Sequence, residues 1–218
     1  MSRPRSDLWG PIAGIVFVVL FVVGFSLFDA PSGDDSVSKI TSFYNDSGDR
    51  AQVIISSYLL ILSGVFFIWF LATLRNTLTA AEGESGRLAL IATMSGVIFT
   101  ALLMVAAAMF MTVAADITFG DEKFVSVEAA RLLPELGYPI LLIGGMFAAA
   151  AMMDAASIVI MRTGVLPKWI AWFGFVAAIG VLFSVFFVPM SLLVLWVLFV
   201  SVALLRRRPV RETPAVAG

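Results

Sequence analysis

Tyr138–Met161 reads YPILLIGGMFAAAAMMDAASIVIM, a stretch of helix length with one charged side chain, Asp154, among apolar and small residues. About 20 apolar residues carry a helix across a hydrocarbon core ~30 Å thick, so the stretch is expected to span a membrane. A carboxylate at that depth costs about 2.5–3.5 kcal/mol on insertion scales, which makes Asp154 a candidate functional residue by default. The stretch also holds Gly144, Gly145, Ala148 and Ala149. Small residues let a neighbouring helix come close, and these four are the helix-packing candidates of a central helix. Pro134 and Pro139 bracket the start of the span, where a missing N–H costs little.

The composition around this stretch agrees with it. The chain of 218 residues is 61% hydrophobic and 13% charged, far more apolar than a soluble domain. It contains no histidine and no cysteine. That removes disulfides, thiolate nucleophiles, Cys/His zinc sites, His-ligated haem, iron–sulfur clusters and imidazole proton shuttles from its own chemistry. Within the membrane it offers no second ionisable group to pair with Asp154 as an acid/base couple, so an enzyme is not expected, nor any cofactor or metal. A net charge of −1 provides no basic field for nucleic acid.

Further apolar segments on both sides give six spans, at 9–28, 52–74, 88–115, 138–161, 169–187 and 189–205, followed by a basic tail at 206–218. The expectation is one all-α domain, a polytopic membrane helix bundle. The first apolar run is longer than the 7–15 residues of a signal-peptide core, and its nearest small residue, Ala30, precedes Pro31, so it reads as a retained span. Gly10 and Gly14 form a small-xxx-small pair on it. In the loop 29–50, Val37, Ile40, Phe43 and Tyr44 recur at helical spacing after Asp34, Asp35 and Ser36, the signature of a short surface helix with a good N-cap. A second such helix is expected over 125–133, begun by Ser126, with Glu128 and Arg131 one turn apart. Asn45–Asp49 hints at a calcium loop, but the first ligand position falls on Phe43 and the closing glutamate on Ile54, so it does not qualify. Asn76–Arg87 reads as a polar loop between antiparallel neighbours, the span 88–115 is long enough to require tilt, and Val188-Pro189 makes a minimal hairpin.

Sorting charges by side fixes an expected orientation. With the N-terminus inside, the inner segments hold Arg3, Arg5, Arg75, Arg87, Arg162, Lys168, Arg206, Arg207, Arg208 and Arg211, against Lys39, Arg50, Lys123 and Arg131 outside. Ten against four is a strong positive-inside bias, and it requires an even number of spans with both termini cytoplasmic. The outer segments collect acids instead, Asp29, Asp34, Asp35, Asp116 and Glu135 among them.

The turn Arg162-Thr163-Gly164-Val165-Leu166-Pro167-Lys168-Trp169, continuing to Gly174, together with the Tyr44-Asn45 pair before the second span, resembles a family of uncharacterised six-helix integral membrane proteins of bacteria, especially actinobacteria. The resemblance implies a multi-pass protein of the bacterial plasma membrane and carries over no catalytic residue. Physically the turn is a Gly-capped helix end followed by a Pro–Lys helix start with an interfacial Trp. The expected role is a non-catalytic structural or accessory membrane component, surrounded by lipid and meeting a protein partner or a second copy. A small transporter or channel is the alternative, with Asp154 binding a proton or cation near Ser157, Thr93 or Ser95. In the structural alternative Asp154 bonds a neighbouring hydroxyl or arginine and locks its helix in place.

Overall fold

The computed structural model of the chain describes residues 6–120 and 126–207, and every regular element among them is helical. The membrane-directed helices are α1 (Ser6–Leu27), α3 (Ser47–Glu82), α4 (Arg87–Phe119), α6 (Met146–Thr163), α7 (Lys168–Val181) and α8 (Ser191–Arg206). Two shorter helices, α2 (Val37–Asn45) and α5 (Val127–Pro139), cap one end. Packing runs α1 on α3, α3 on α4, α4 on α6, α6 on α7, α7 on α8 and α8 back on α1, so the six long elements close into a ring. Fully buried phenylalanines fill its interior, with Phe17 and Phe67 at 4.7 Å between ring centroids and Phe67 and Phe99 at 5.2 Å.

Hydroxyl-bearing and aromatic side chains press onto glycines where the helices touch. Gly10 meets Thr73, Gly14 meets Ser201 and Phe70, and Gly174 meets Ser157 and Trp196, leaving no room for a Cβ. Without a hydrophobic driving force between helices in lipid, this close backbone approach is what gives dispersion contact between them.

Among the described residues, five stretches are long and apolar enough to cross a membrane: Leu8–Leu27, Ser47–Ser85, Arg87–Phe119, Val127–Thr163 and Val188–Arg206. The fifth apolar segment of the sequence yields only the 14 residues of α7, about 21 Å of helix at 1.5 Å per residue. Its helix ends at Val181 rather than 187. Beyond it the chain makes two short 3₁₀ turns, Ser184–Phe186 and Val188–Met190, on either side of Phe187, whose φ is 59°. Pro189 brings no N–H to this region and cannot continue a helix from the preceding turn.

The helices at the second and third spans extend outward from their expected limits. Asp46 accepts hydrogen bonds from the N–H groups of Gly48 and Asp49, so α3 starts at Ser47, and it runs on through Asn76–Glu82, expected as loop. That stretch has no glycine or proline to stop it, and the chain turns at Gly83 (φ 80°) and Gly86 (φ 49°). Glu82 then caps α4 across the turn, accepting from the Leu88 and Ala89 N–H groups, each at 2.9 Å. Pro134 and Pro139 do not bracket a start; they lie inside helix that continues from α5 into α6 through a π-helical turn at Ile140–Gly145. Pro139 has no N–H to donate backward, and a π turn is one way a helix absorbs such a break.

Both expected surface helices form, capped by Ser36 and Ser126. They sit over the ends of α3 and α4 around a small second core of Ile40, Tyr44, Val53, Ile54, Val113, Ala114 and Ala130. Three basic side chains brace this cap. Arg50 donates to the Tyr44 carbonyl at 2.6 Å and the Thr118 hydroxyl at 3.2 Å, Arg131 donates to the Asp35 carbonyl at 2.8 Å, and Lys39 pairs with the Asp35 carboxylate at 2.9 Å. The hydrogen bond from Lys39 holds the Asp35 carboxyl below the ordinary carboxylate range. The opposite end carries Arg75, Arg87, Arg162, Lys168, Arg206 and Arg207, and Arg162 shares a surface depression with the Glu82–Leu88 turn. Lys123, Arg3, Arg5 and the tail from 208 onward lie outside the described residues.

Candidate functional site

Asp154 lies on α6 eight residues before Arg162, about 12 Å along the helix axis. Met152, Met153, Ala155 and Ala156 on either side of it are buried, but Asp154 itself is exposed and points away from the ring interior. It opens into a groove of about 320 Å³ between α6 and α7, lined by Ala150, Ala151, Phe175, Ala178, Ile179 and Leu182. Apart from the carboxyl, every group in that groove is apolar, and Asp154 makes no hydrogen bond or ion pair with any described residue.

The hydroxyls expected near it are turned elsewhere. Ser157 is fully buried against Gly174 and Trp196, and neither its Oγ nor the Trp196 Nε1 has a hydrogen-bond partner among the described residues. Thr93 donates to the Ala89 carbonyl of its own helix at 2.7 Å. Ser95 is half-buried on α4, without a bond to Asp154. Arg162 lies toward the α3–α4 turn.

The four helix-packing candidates divide between two faces. Gly145 and Ala149 are buried, whereas Gly144 is exposed and Ala148 half-buried. The atom nearest to a Cβ at Gly144 would be Leu102 Cδ1 at 3.3 Å, the mobile end of a side chain. Gly144, Ala148, Ala151 and Asp154 therefore form an outward stripe, at spacings of four, three and three residues. A close helix contact in this half of the bundle is at Gly174, where Ser157 Oγ and Trp196 Nε1 leave no room for a Cβ. Its signal in the sequence is a glycine flanked by Phe173 and Phe175, facing a serine three residues beyond Asp154.

A carboxyl on the lipid side of a membrane helix has neither water nor a protein donor to satisfy it, and polar groups in that setting are expensive unless paired. What the arrangement offers chemically is one strong hydrogen-bonding group framed by small residues that permit close approach. Comparison with protein-family models, curated proteins and solved structures finds no match for this chain.

Proposed function

We propose that the protein is a non-catalytic accessory component of the bacterial plasma membrane, with six spans and both termini inside, that docks the transmembrane helix of a partner protein on its α6–α7 face. The observation that carries this reading is the outward placement of Asp154 in an apolar groove. A partner helix bearing Ser, Thr, Asn or Lys at the same depth would supply the missing hydrogen bonds, and the small side chains of Gly144, Ala148 and Ala151 would let its backbone approach.

Six spans are supported by the hairpin that follows α6. Although α7 alone is short, its 3₁₀ extension ends in Phe183, Val185, Phe186 and Val188, all exposed and apolar, which suit the membrane rather than water. An even number of crossings also agrees with the segregation of Arg75, Arg87, Arg162, Lys168 and Arg206 to one end. The transporter alternative asks for a polar route to Asp154; alanine, phenylalanine, isoleucine and leucine wall its groove.

A photo-crosslinking residue placed at Ala151 in cells tests the reading. Expected is an adduct with a second membrane polypeptide that disappears in Asp154→Leu and persists in Asp154→Asn. Adducts to lipid alone, or an adduct indifferent to Asp154→Leu, would defeat the docking role. An adduct joining two copies of this chain would replace the foreign partner with self-association, and proton flux in vesicles that Asp154→Asn abolishes would reinstate the transporter.

A further inference from the structure

At the acidic end of the bundle, away from Asp154, a cavity of about 420 Å³ lies between the α5–α6 helix, the α7–α8 hairpin tip and the α1–α2 connection. Its size falls in the ~300–1,000 Å³ range of small-molecule sites. Leu142, Ile143, Val185 and Phe187 line its apolar side, and Ser32, Gly33, Glu135 and Tyr138 line its more polar mouth.

Three features show that this is a shaped site. Phe187, in its wall, is the one non-glycine with positive φ among the described residues, and such outliers persist where the surroundings over-determine them. Its ring meets Tyr138 edge-on at 5.6 Å, and Tyr138 is fixed in turn against Phe110 at 5.0 Å. The π-helical turn at Ile140–Gly145 presents Leu142 and Ile143 to the same space. Finally, the Glu135 carboxylate rests on Gly33 at a point where a Cβ would have no room.

The charge at the mouth is uncompensated. Glu135 makes no hydrogen bond or ion pair with a described residue, and Asp29 lies within electrostatic reach of Tyr138. The basic residues described at this end are already engaged: Lys39 by Asp35, Arg50 by Tyr44 and Thr118, Arg131 by the Asp35 carbonyl. A largely apolar slot with one unpaired carboxylate, Glu135, and the Tyr138 ring in its wall is complementary to one class of molecule. We propose that this cavity binds a cationic amphiphile, a single alkyl chain with an amine or quaternary ammonium headgroup. The chain lies along Leu142, Ile143, Val185 and Phe187, and the headgroup sits at Glu135 with the Tyr138 ring beside it, where cation–π attraction adds to the ion pair.

The test uses the full chain in phosphatidylcholine nanodiscs, with radiolabelled dodecyltrimethylammonium in equilibrium dialysis against empty discs. Expected is saturable one-to-one binding above the empty-disc baseline, with dodecyl sulfate a poor competitor. Glu135→Gln weakens it about fivefold, the upper end for a partly exposed ion pair. Ile143→Trp, at an exposed position that tolerates bulk, fills the slot and removes saturable binding. Glu135→Lys reverses the preference toward dodecyl sulfate. Unfolding midpoints measured alongside separate lost binding from lost fold. Binding unchanged by Glu135→Gln and Ile143→Trp, or displaced equally by dodecyl sulfate, overturns the proposal. Asp154→Leu leaves the binding as it is, so this result and the partner-docking experiment fail or succeed separately.

Discussion

Two single residues carry opposite expectations. Asp154 has no partner among the described residues, so Asp154→Leu should leave the thermal unfolding midpoint of the purified protein unchanged or raised. Removing a lipid-depth carboxylate should also favour insertion by about 2.5–3.5 kcal/mol, read from the inserted fraction of an α6 segment in a translocation assay. A fall in midpoint would mean that Asp154 braces its own bundle. Gly174 is the reverse case. A methyl there must displace Ser157 Oγ and Trp196 Nε1, both fully buried, so Gly174→Ala should cost about 1–3 kcal/mol, the usual range for overpacking. The same change at Gly144 meets only the end of Leu102 and should be near neutral, and parallel melting curves of the two variants check the contrast. Tyr44 adds a pH expectation. Burial pushes its phenol up to about 12, so its neutral form is favoured in the folded cap. Stability is untouched below pH 10 and declines as pH rises from 10 toward 12, because the unfolded chain loses that proton first. Tyr44→Phe should flatten this alkaline limb.

At the scale of elements, the α7–α8 hairpin tip is the least ordinary piece. Phe186 and Val188 are 74% and 78% exposed, yet the turn's backbone is bonded internally: Phe187 N–H donates to the Ser184 carbonyl at 2.7 Å and Met190 N–H to the Phe187 carbonyl at 3.1 Å. A turn with apolar side chains outside and paired amides inside can sit at lipid depth. A cysteine placed at Phe186 should therefore resist a water-soluble maleimide that readily labels one placed at Ser42 on α2; equal labelling would put the tip in water. Helix existence and the two surface helices could be read from apolar runs and from Ser36 and Ser126, because capping is a local event. Where α7 stops was not legible, since Leu182–Phe187 holds no glycine, proline or charge, and only Phe187's backbone shows the break. The outward face of α6 was hidden for a related reason. A span apolar on all sides has no polar face to mark which way it points, so Asp154 could be recognised as an exception while its direction awaited the packing of α7.

The whole molecule is organised by a difference between its two ends. One carries Arg75, Arg87, Arg162, Lys168, Arg206 and Arg207; at the other, Lys39, Arg50 and Arg131 are drawn into bracing the cap, leaving its surface acidic. Unengaged arginines near an anionic inner leaflet gain about 1 kcal/mol each, so the first end should face the cytoplasm. This becomes decidable because the chain has no cysteine, making each introduced one unique. A cysteine at Ser42 should label from outside intact cells. Those at Glu84, in the α3–α4 turn, and at Arg207, just past α8, should label only after permeabilisation. The pair Glu84 and Arg207 tests the return of the chain through α7 and α8. With Arg162, Lys168 and Arg207 at one end of the bundle, the hairpin brings the chain back to the side of the α3–α4 turn, and the two positions label together. If Arg207 labels from outside while Glu84 does not, α7 and α8 do not form a returning pair and the arrangement of an even number of spans fails.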